Sequence, residues 1–308
     1  VILAAGLSPA WQQIVVLDSL AVGEVNRARE VHWCASGKVL NVGAALAALK
    51  DDTRQSQTLT VIGGSTGGAV RREFETRALP ARWIETPSPT RVCTTILDRS
   101  TGRTTELVQN AAPIDEDDLD RFCEAYREES RRADVVVFTG SFPAGTPATL
   151  YADLMAETRA NVVLDAQGEP LLAALARRPL VVKPNREELA RSLARTVDTD
   201  DGLHAAMREL CRRGAQWIVI TQGNKPVWVG SERELFSLNP PSVPVVNPIG
   251  SGDCLAAGIA AALARGDDVP CAVEFGIAAA AENVQHLLPA RLDVERVTAR
   301  ARQFERRK

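Results

Sequence analysis

The chain has 308 residues, 45% of them hydrophobic and 24% charged, enough to bury a large core at the upper end of what one domain holds. A formal charge of −3 supplies no global basic surface of the kind that nucleic-acid or anionic-membrane binding requires. No uninterrupted apolar run reaches the roughly 18 residues of a membrane span.

Six cysteines (Cys34, Cys93, Cys123, Cys211, Cys254 and Cys271) stand apart with no CxxC pair and only three histidines beside them. That spacing points to neither a zinc site nor a disulfide framework, and it suits a reducing cytosol. The opening "VILAAGLSPA" is too short, and lacks the basic flank, to be a signal peptide. The expectation is a soluble cytoplasmic protein.

Taken in chain order, the short apolar runs "VILAAG", "LTVIGG", "ADVVVFTGS", "NVVLDA", "PLVVKPN" and "QWIVITQG" each end at Gly, Pro, Asp or another turn residue. Such brief, β-branched runs predict buried parallel strands. Helical stretches separate or follow them: "VLNVGAALAALK", "DEDDLDRFCEAYREESRRA", "TPATLYADLMAETRA", "DGLHAAMRELCRRG" and "CAVEFGIAAAAENVQHLL". The alternation predicts βαβ units, hence an α/β fold with helices on both faces of a mostly parallel sheet. Residues 11–33 and 88–108 break the rhythm with strand-like segments around Val22-Gly23 and Ser100-Thr101-Gly102. Two hairpins paired as a small lid sheet are expected there, leaving 1–10, 34–87 and 109–308 as the core.

Chemistry concentrates where apolar runs give way to helices. In "NPIGSGDCLAAG", Gly250, Ser251 and Gly252 open an Ala-rich helix, so its unpaired amides can approach phosphate oxygens closely. A carboxylate at Asp253 weakens such a site unless it has another task, such as accepting a proton from an attacking hydroxyl. A helix-capping role accounts for the stretch equally well. "CASGKVLNV" sets Gly37 and Lys38 before another helix without matching a Walker A loop; Lys38 either contacts a ligand or lies in an exposed turn. Asn185 and Glu188, three apart in "KPNREEL", fit a hydrated magnesium site and a capping box alike. "LTVIGGSTGGAV" supports a tight turn only. Arg27, Arg29 and Arg91 in the lid can clamp a phosphate or remain solvated.

Together these stretches resemble the PfkB family of carbohydrate kinases, and most closely its branch acting on sugar phosphates, the 1-phosphofructokinases and tagatose-6-phosphate kinases. "GEVNRARE" is similar to that branch's lid motif, "SGKVLNV" to its GGKGLNV turn, "TGSFPAGTP" to its GSLPPG loop, "KPNREEL" to its KPNxxEL segment, and "NPIGSGDCLAAG" to its GAGD signature. The resemblance covers nearly the whole chain. It implies a three-layer ribokinase-like α/β sandwich with a mostly parallel central sheet and a small β-sheet lid, forming a homodimer through that lid.

It further implies Asp253 as catalytic base, with the amides of Gly250, Ser251 and Gly252 as anion hole. Asn185 and Glu188 would organise Mg2+ on ATP, through water, while Lys183, Asn185, Thr221 and Gly223 match nucleotide positions. Gly37, Lys38, Asn41, Arg91 and Ser141 match sugar-contacting positions, and Arg27 and Arg29 would hold the phosphate already on the sugar, from this subunit or its neighbour. A monovalent cation is a further possibility within the family.

The departures lie mostly at the sugar end. Ser8 and Gln12 replace the Asn and the hydroxyl-accepting Asp of an NPALD-like stretch, so a neutral amide stands where a carboxylate is expected. Ser36 and Val39 replace two glycines of GGKG; Val39 must either keep ordinary backbone angles or reshape the sugar pocket. Pro226 stands in place of a Gly, and Pro248 removes an amide before the anion hole. The reading that follows is ATP-dependent phosphorylation of fructose 6-phosphate, fructose 1-phosphate or tagatose 6-phosphate to a bisphosphate. The alternatives are a PfkB kinase for a nonphosphorylated sugar or nucleoside, and a catalytically weak sugar-phosphate-binding regulator.

Overall fold

The structure is a computed structural model describing residues 1–49 and 55–304. Its elements run β1 (Ile2–Ala5), β2 (Ala10–Leu17), β3 (Glu30–Ser36), α1 (Lys38–Ala48), β4 (Ser56–Gly63), α2 (Gly64–Thr76), β5 (Ala81–Thr86), β6 (Val92–Asp98) and β7 (Arg103–Val108). After α3 (Glu116–Ser130) come β8 (Val135–Thr139), α4 (Leu150–Ala156), β9 (Asn161–Asp165), α5 (Gly168–Ala174), β10 (Val181–Val182), α6 (Arg186–Ser192) and α7 (Asp200–Arg212). The remainder is β11 (Trp217–Ile220), β12 (Val227–Gly230), β13 (Leu235–Leu238), α8 (Ser251–Arg265), α9 (Val269–Asn283) and α10 (Val294–Ala301). Lys50, the last residue of the helix expected at 39–50, lies outside the described residues.

Among the described residues the main sheet has the order β13-β12-β11-β10-β9-β8-β1-β4-β5. Pairing is parallel from β5 to β11. The hairpin β12–β13, not anticipated from the apolar runs, then adds two antiparallel strands. Alternate residues of each parallel strand enter different cores: Val135 and Val137 of β8 join the cluster with α1, α8 and α9. Val136 and Phe138 join the cluster with α3, α4 and α7. Burial on both faces explains why these strands read as continuous apolar runs. The chain leaves β1 toward β4 on one side and later returns to β8 on the other, so the crevice at the carboxyl ends of these strands is where an open α/β sheet binds ligands.

The two expected hairpins form. β2 pairs with β3 and β6 with β7, both antiparallel, and β2 and β6 join them in parallel as the sheet β3-β2-β6-β7. Gly23 and Gly102 supply left-handed backbone in the connecting loops, with φ +87° and +65°. One face of this lid carries buried Ile14, Val16, Cys34 and Leu97 against Leu287 and Leu288. On the other, Trp11 stacks on Trp33 at 6.0 Å. Strands β2 and β3 extend slightly beyond the anticipated 11–33, starting at Ala10 and ending at Ser36.

Several long helices begin with a side-chain cap, as at Asp115, Thr199 and Asp268. Helices α1, α2 and α8 do not: each starts from a glycine with no side-chain cap. The open ends of α1 and α8 face the same cleft.

Candidate active site

A cleft of about 450 Å³ lies between the lid and the carboxyl edge of the main sheet. Its wall gathers fourteen of the residues singled out by sequence: Gln12, Gly37, Lys38, Asn41, Arg91, Lys183, Asn185, Glu188, Thr221, Gly223, Gly250, Ser251, Gly252 and Asp253. Residues from four elements (β2, α1, α6 and α8) and five connecting segments thus converge on one space.

The turn before α8 shapes one end. Gly250 takes φ +80°, a left-handed conformation in which a Cβ would come within 2.9 Å of Pro289, so glycine is required. The loss of an amide at Pro248 is offset by buried Asn247, whose Oδ1 accepts from Ile249 N at 3.0 Å while its Nδ2 donates to Leu287 O at 2.8 Å. Asn247 went unnoticed in the sequence, although an Asn-Pro pair is itself a turn signal.

Asp253 sits in the first turn of α8, buried, and accepts a 2.7 Å hydrogen bond from Asn41 Nδ2 of α1. Ser36 Oγ in turn donates to Asn41 Oδ1 at 3.2 Å, which fixes which face of the amide meets Asp253. The serine that replaces a family glycine therefore orients the partner of this carboxylate. Burial, then the nearby Asp165 carboxylate, pushes the Asp253 carboxyl from 3.8 up to about 6; Lys38, the Asn41 hydrogen bond and Lys183 act the other way.

Asp165, at the end of β9, is the organising group that sequence reading missed. It is 1% exposed and lies 3.1 Å from Lys38 Nζ and 3.4 Å from Lys183 Nζ, with Thr139 Oγ1 donating at 3.3 Å. Burial opposes its ionisation, but the two ammoniums outweigh that and hold its carboxyl below the usual range. Lys38 shows the converse: burial disfavours its charge, and Asp165, Glu188 and Asp253 overcome this to hold its ammonium above the ordinary lysine value. Its position on the carboxyl edge of a parallel strand was the available signal for Asp165.

The two readings of Asn185 and Glu188 coexist. Asn185 Oδ1 accepts from Glu188 N and Glu188 Oε2 from Asn185 N, both at 2.8 Å, a complete capping box. Glu188 Oε1 turns instead into the cleft, 3.2 Å from Lys38 Nζ. Among the described residues no group of three or more His, Cys, Asp or Glu could hold a metal ion alone. What is present fits an ion carried mainly by phosphate oxygens and water, the usual habit of magnesium. The uncapped amides of α8 and the Lys183 ammonium, 3.6 Å from where a Gly252 Cβ would lie, fit a polyphosphate. On the same side, Thr221 bridges to Asn185 and Gly223 forms a turn at φ +64°. Pro226 precedes β12, where its missing amide breaks no strand bond.

At the other end, Gly37 takes φ +87°, and a Cβ there would meet Ser8 O at 2.8 Å. Val39 keeps ordinary backbone angles and is 1% exposed, packed toward Gly6 and absent from the cleft wall. The cleft is therefore not reshaped by it. Gln12 is buried and donates from Nε2 to Thr95 Oγ1 at 2.8 Å. Arg91 lines the cleft, yet its guanidinium donates to Pro9 O, Gln109 O and Ser8 O at 3.3, 3.2 and 3.0 Å, tying together segments that enter and leave the lid. Among the described residues these carbonyls are its partners, and no carboxylate pairs with it within 4 Å. Ser141 is exposed outside the wall, its hydroxyl 3.4 Å from Ser8 Oγ. Arg27 and Arg29 lie on the exposed β2–β3 connection, where Arg29 pairs with Asp18 at 3.2 Å; neither reaches this chain's cleft.

An α/β sandwich with a lid, an open helix start for phosphates and a buried carboxylate beside it define a phosphoryl-transfer enzyme of the ribokinase-like class. The model of the pfkB family carbohydrate kinases matches residues 11–293. The chain belongs to that family and is an ATP-dependent carbohydrate kinase.

Solved structures agree on the fold. The tetrameric inhibited form of phosphofructokinase-2 from Escherichia coli superposes with a TM-score of 0.86 at 22% identity, over 98% of each chain. A possible 1-phosphofructokinase from Thermotoga maritima gives 0.89 at 21% identity, over 100% of this chain and 99% of that one. Arabidopsis thaliana ribokinase gives 0.74 at 20%, over 97% and 98%. No helix among the described residues is long and apolar enough to cross a membrane.

Proposed function

We propose that the chain transfers the γ-phosphoryl group of ATP to a free hydroxyl of a ketose phosphate, fructose 6-phosphate, fructose 1-phosphate or tagatose 6-phosphate, producing a bisphosphate. The observation that carries this reading is Asp253: a buried carboxyl raised to about 6, at the uncapped start of α8, held by Asn41 and facing the cleft. Mostly ionised at neutral pH yet with a raised proton affinity, it suits the general base that takes the attacking hydroxyl's proton. The amides of Gly250, Ser251 and Gly252, with Lys183 and Lys38, lie where charge spreads over the transferring phosphoryl group. Magnesium, when bound, neutralises phosphate charge, and Glu188 with Asn185 would hold its water shell. Closure of the lid over the cleft keeps water from the phosphoryl acceptor site.

Arg91, a guanidinium at the cleft whose direct partners are carbonyls, supports a phosphorylated acceptor. One neighbour, E. coli phosphofructokinase-2, has been solved in complex with fructose-6-phosphate and also with potassium; a monovalent cation is included in the proposal on that likeness. A second reading, a kinase for a nonphosphorylated sugar, draws on the distance of Arg27 and Arg29 from this chain's cleft. The outer face of the lid answers it in part. Trp33, Val31 and Leu107 are 44, 45 and 58% exposed there, around Trp11, an apolar face suited to a second copy of the chain that brings its own loop arginines near. The proposal accordingly includes a homodimer through the lid. A reducing cytoplasm is included as well, since all six cysteines are free.

The test is ADP release with ATP and magnesium across ketoses, ketose phosphates, ribose and nucleosides. Turnover of a ketose phosphate well above all other acceptors supports the proposal; turnover of an unphosphorylated acceptor alone favours the second reading. Binding of sugar phosphate without turnover identifies a regulator.

A further inference from the structure

Position 12 carries a neutral amide, and two strands away in the lid sheet a carboxylate, Glu106, lines the same cleft. Gln12 lines the cleft as a neutral residue whose amide nitrogen donates to Thr95, so a single carbonyl oxygen is the acceptor it has to offer. The deep carboxylates are also engaged: Asp165 with two lysines, Glu188 with Lys38 and its own helix cap, Asp253 with Asn41. A sugar presents several hydroxyl donors, and burying them against neutral or occupied acceptors forfeits affinity.

Glu106 lies on β7, the edge strand of the lid. Its β6 partner in register is Thr95, the residue holding Gln12, while Cys93 of β6 stands opposite both Gln12 and Val108. Side chains alternate across a strand, so Gln12, Cys93, Thr95, Glu106 and Val108 share one face. Four of these, Gln12, Cys93, Glu106 and Val108, line the cleft, with Arg91 beside them. Among the described residues Glu106 has neither a hydrogen bond nor an ion pair within 4 Å. Burial raises its carboxyl, and the charge of Arg91 works the other way.

Resting on the phosphoryl-transfer reading above, we infer that Glu106 is a specificity-determining residue that accepts hydrogen bonds from hydroxyls of the acceptor sugar, while the adjacent Arg91 attracts its phosphate. The acceptor class is therefore a polyhydroxylated monophosphate whose hydroxyls approach the lid from the β7 side. Acceptors with a second anionic group at that end are repelled.

Glu106→Gln tests this in the full-length protein, with fructose 1-phosphate, fructose 6-phosphate and tagatose 6-phosphate as probes. For whichever the wild type turns over, the sugar KM should rise roughly 10- to 100-fold while kcat and the KM for ATP stay within about twofold. A deoxy analogue lacking the contacted hydroxyl should lose as much with the wild type, and little more with the variant. Glu106 lies on an edge strand, solvent-accessible although the cleft wall partly surrounds its carboxyl, so an unchanged melting temperature is expected and is checked alongside. Wild-type turnover with an unaltered sugar KM in Glu106→Gln overturns this inference alone. Wild-type failure on every ketose phosphate overturns the proposed function and this inference with it.

Discussion

Replacing Asp253 with asparagine separates chemistry from stability, because the structure gives the two effects opposite signs. The carboxyl is buried and its pKa is raised from 3.8 to about 6 by burial and by Asp165. That difference corresponds to roughly 3 kcal/mol by which the ionised carboxylate disfavours the folded state. Between pH 4 and 6 the native protein binds more protons at this site than the unfolded chain, so stability from this group falls as pH rises through the window and stays reduced above it. Asparagine has the same shape, keeps an oxygen for Asn41 Nδ2 and carries no charge. Asp253→Asn should therefore melt no lower than the wild type at pH 8, and its stability should change less between pH 4 and 6. Its kcat/KM, measured by coupled ADP release, should fall roughly 10²- to 10⁴-fold. The wild-type kcat/KM should drop as pH falls through about 6, when the base takes up its proton. Full activity in the variant, or a melting temperature lowered with activity retained, refutes both the base assignment and the electrostatic reasoning.

Other substitutions test the surrounding frame. Asp165→Asn leaves Lys38 and Lys183 without their shared carboxylate and should destabilise the protein by about 3 kcal/mol in denaturant titration. It also removes a charge that raises the Asp253 carboxyl, so the acid limb of the kcat/KM profile should move to lower pH; a limb that stays in place places Asp253's raised value on burial alone. Gly37→Ala puts a Cβ 2.8 Å from Ser8 O at φ +87° and should cost about 1–3 kcal/mol with a raised sugar KM. Trp33→Glu places a charge on the exposed lid face and should convert the proposed dimer to monomer in sedimentation experiments; a wild-type monomer, or a variant that is still dimeric, refutes pairing through this face.

Much of this architecture is visible in the chain before any coordinates. The runs at 133–141 and 161–166 are parallel strands buried on both faces, and this burial makes them continuous and easily recognised. Strands β12 and β13, four residues each, carry too few residues for a period to emerge. The Gly-Ser-Gly-Asp turn is legible as a helix start with open amides, but a capping role fits the same residues until the fold sets Asn41 against Asp253 at the cleft. Asp165 carries no such mark, since its meaning comes from lysines on α1 and after β10 that only the fold brings within 3.4 Å. Arg91 exposes a related limit: its residue type suggests a phosphate clamp, while the hydrogen bonds to Ser8, Pro9 and Gln109 that also make it a lid latch depend on where three segments cross. At Val39 the residue type alone leaves open whether the turn needs glycine angles, and the backbone there has an ordinary negative φ that valine adopts without strain.

The most direct test of the account is phosphorus NMR of the protein incubated with ATP, magnesium and each ketose phosphate in turn. A second phosphomonoester resonance on the sugar should grow in step with ADP and be absent with Asp253→Asn. ADP accompanied only by inorganic phosphate, with every sugar resonance unchanged, would contradict it.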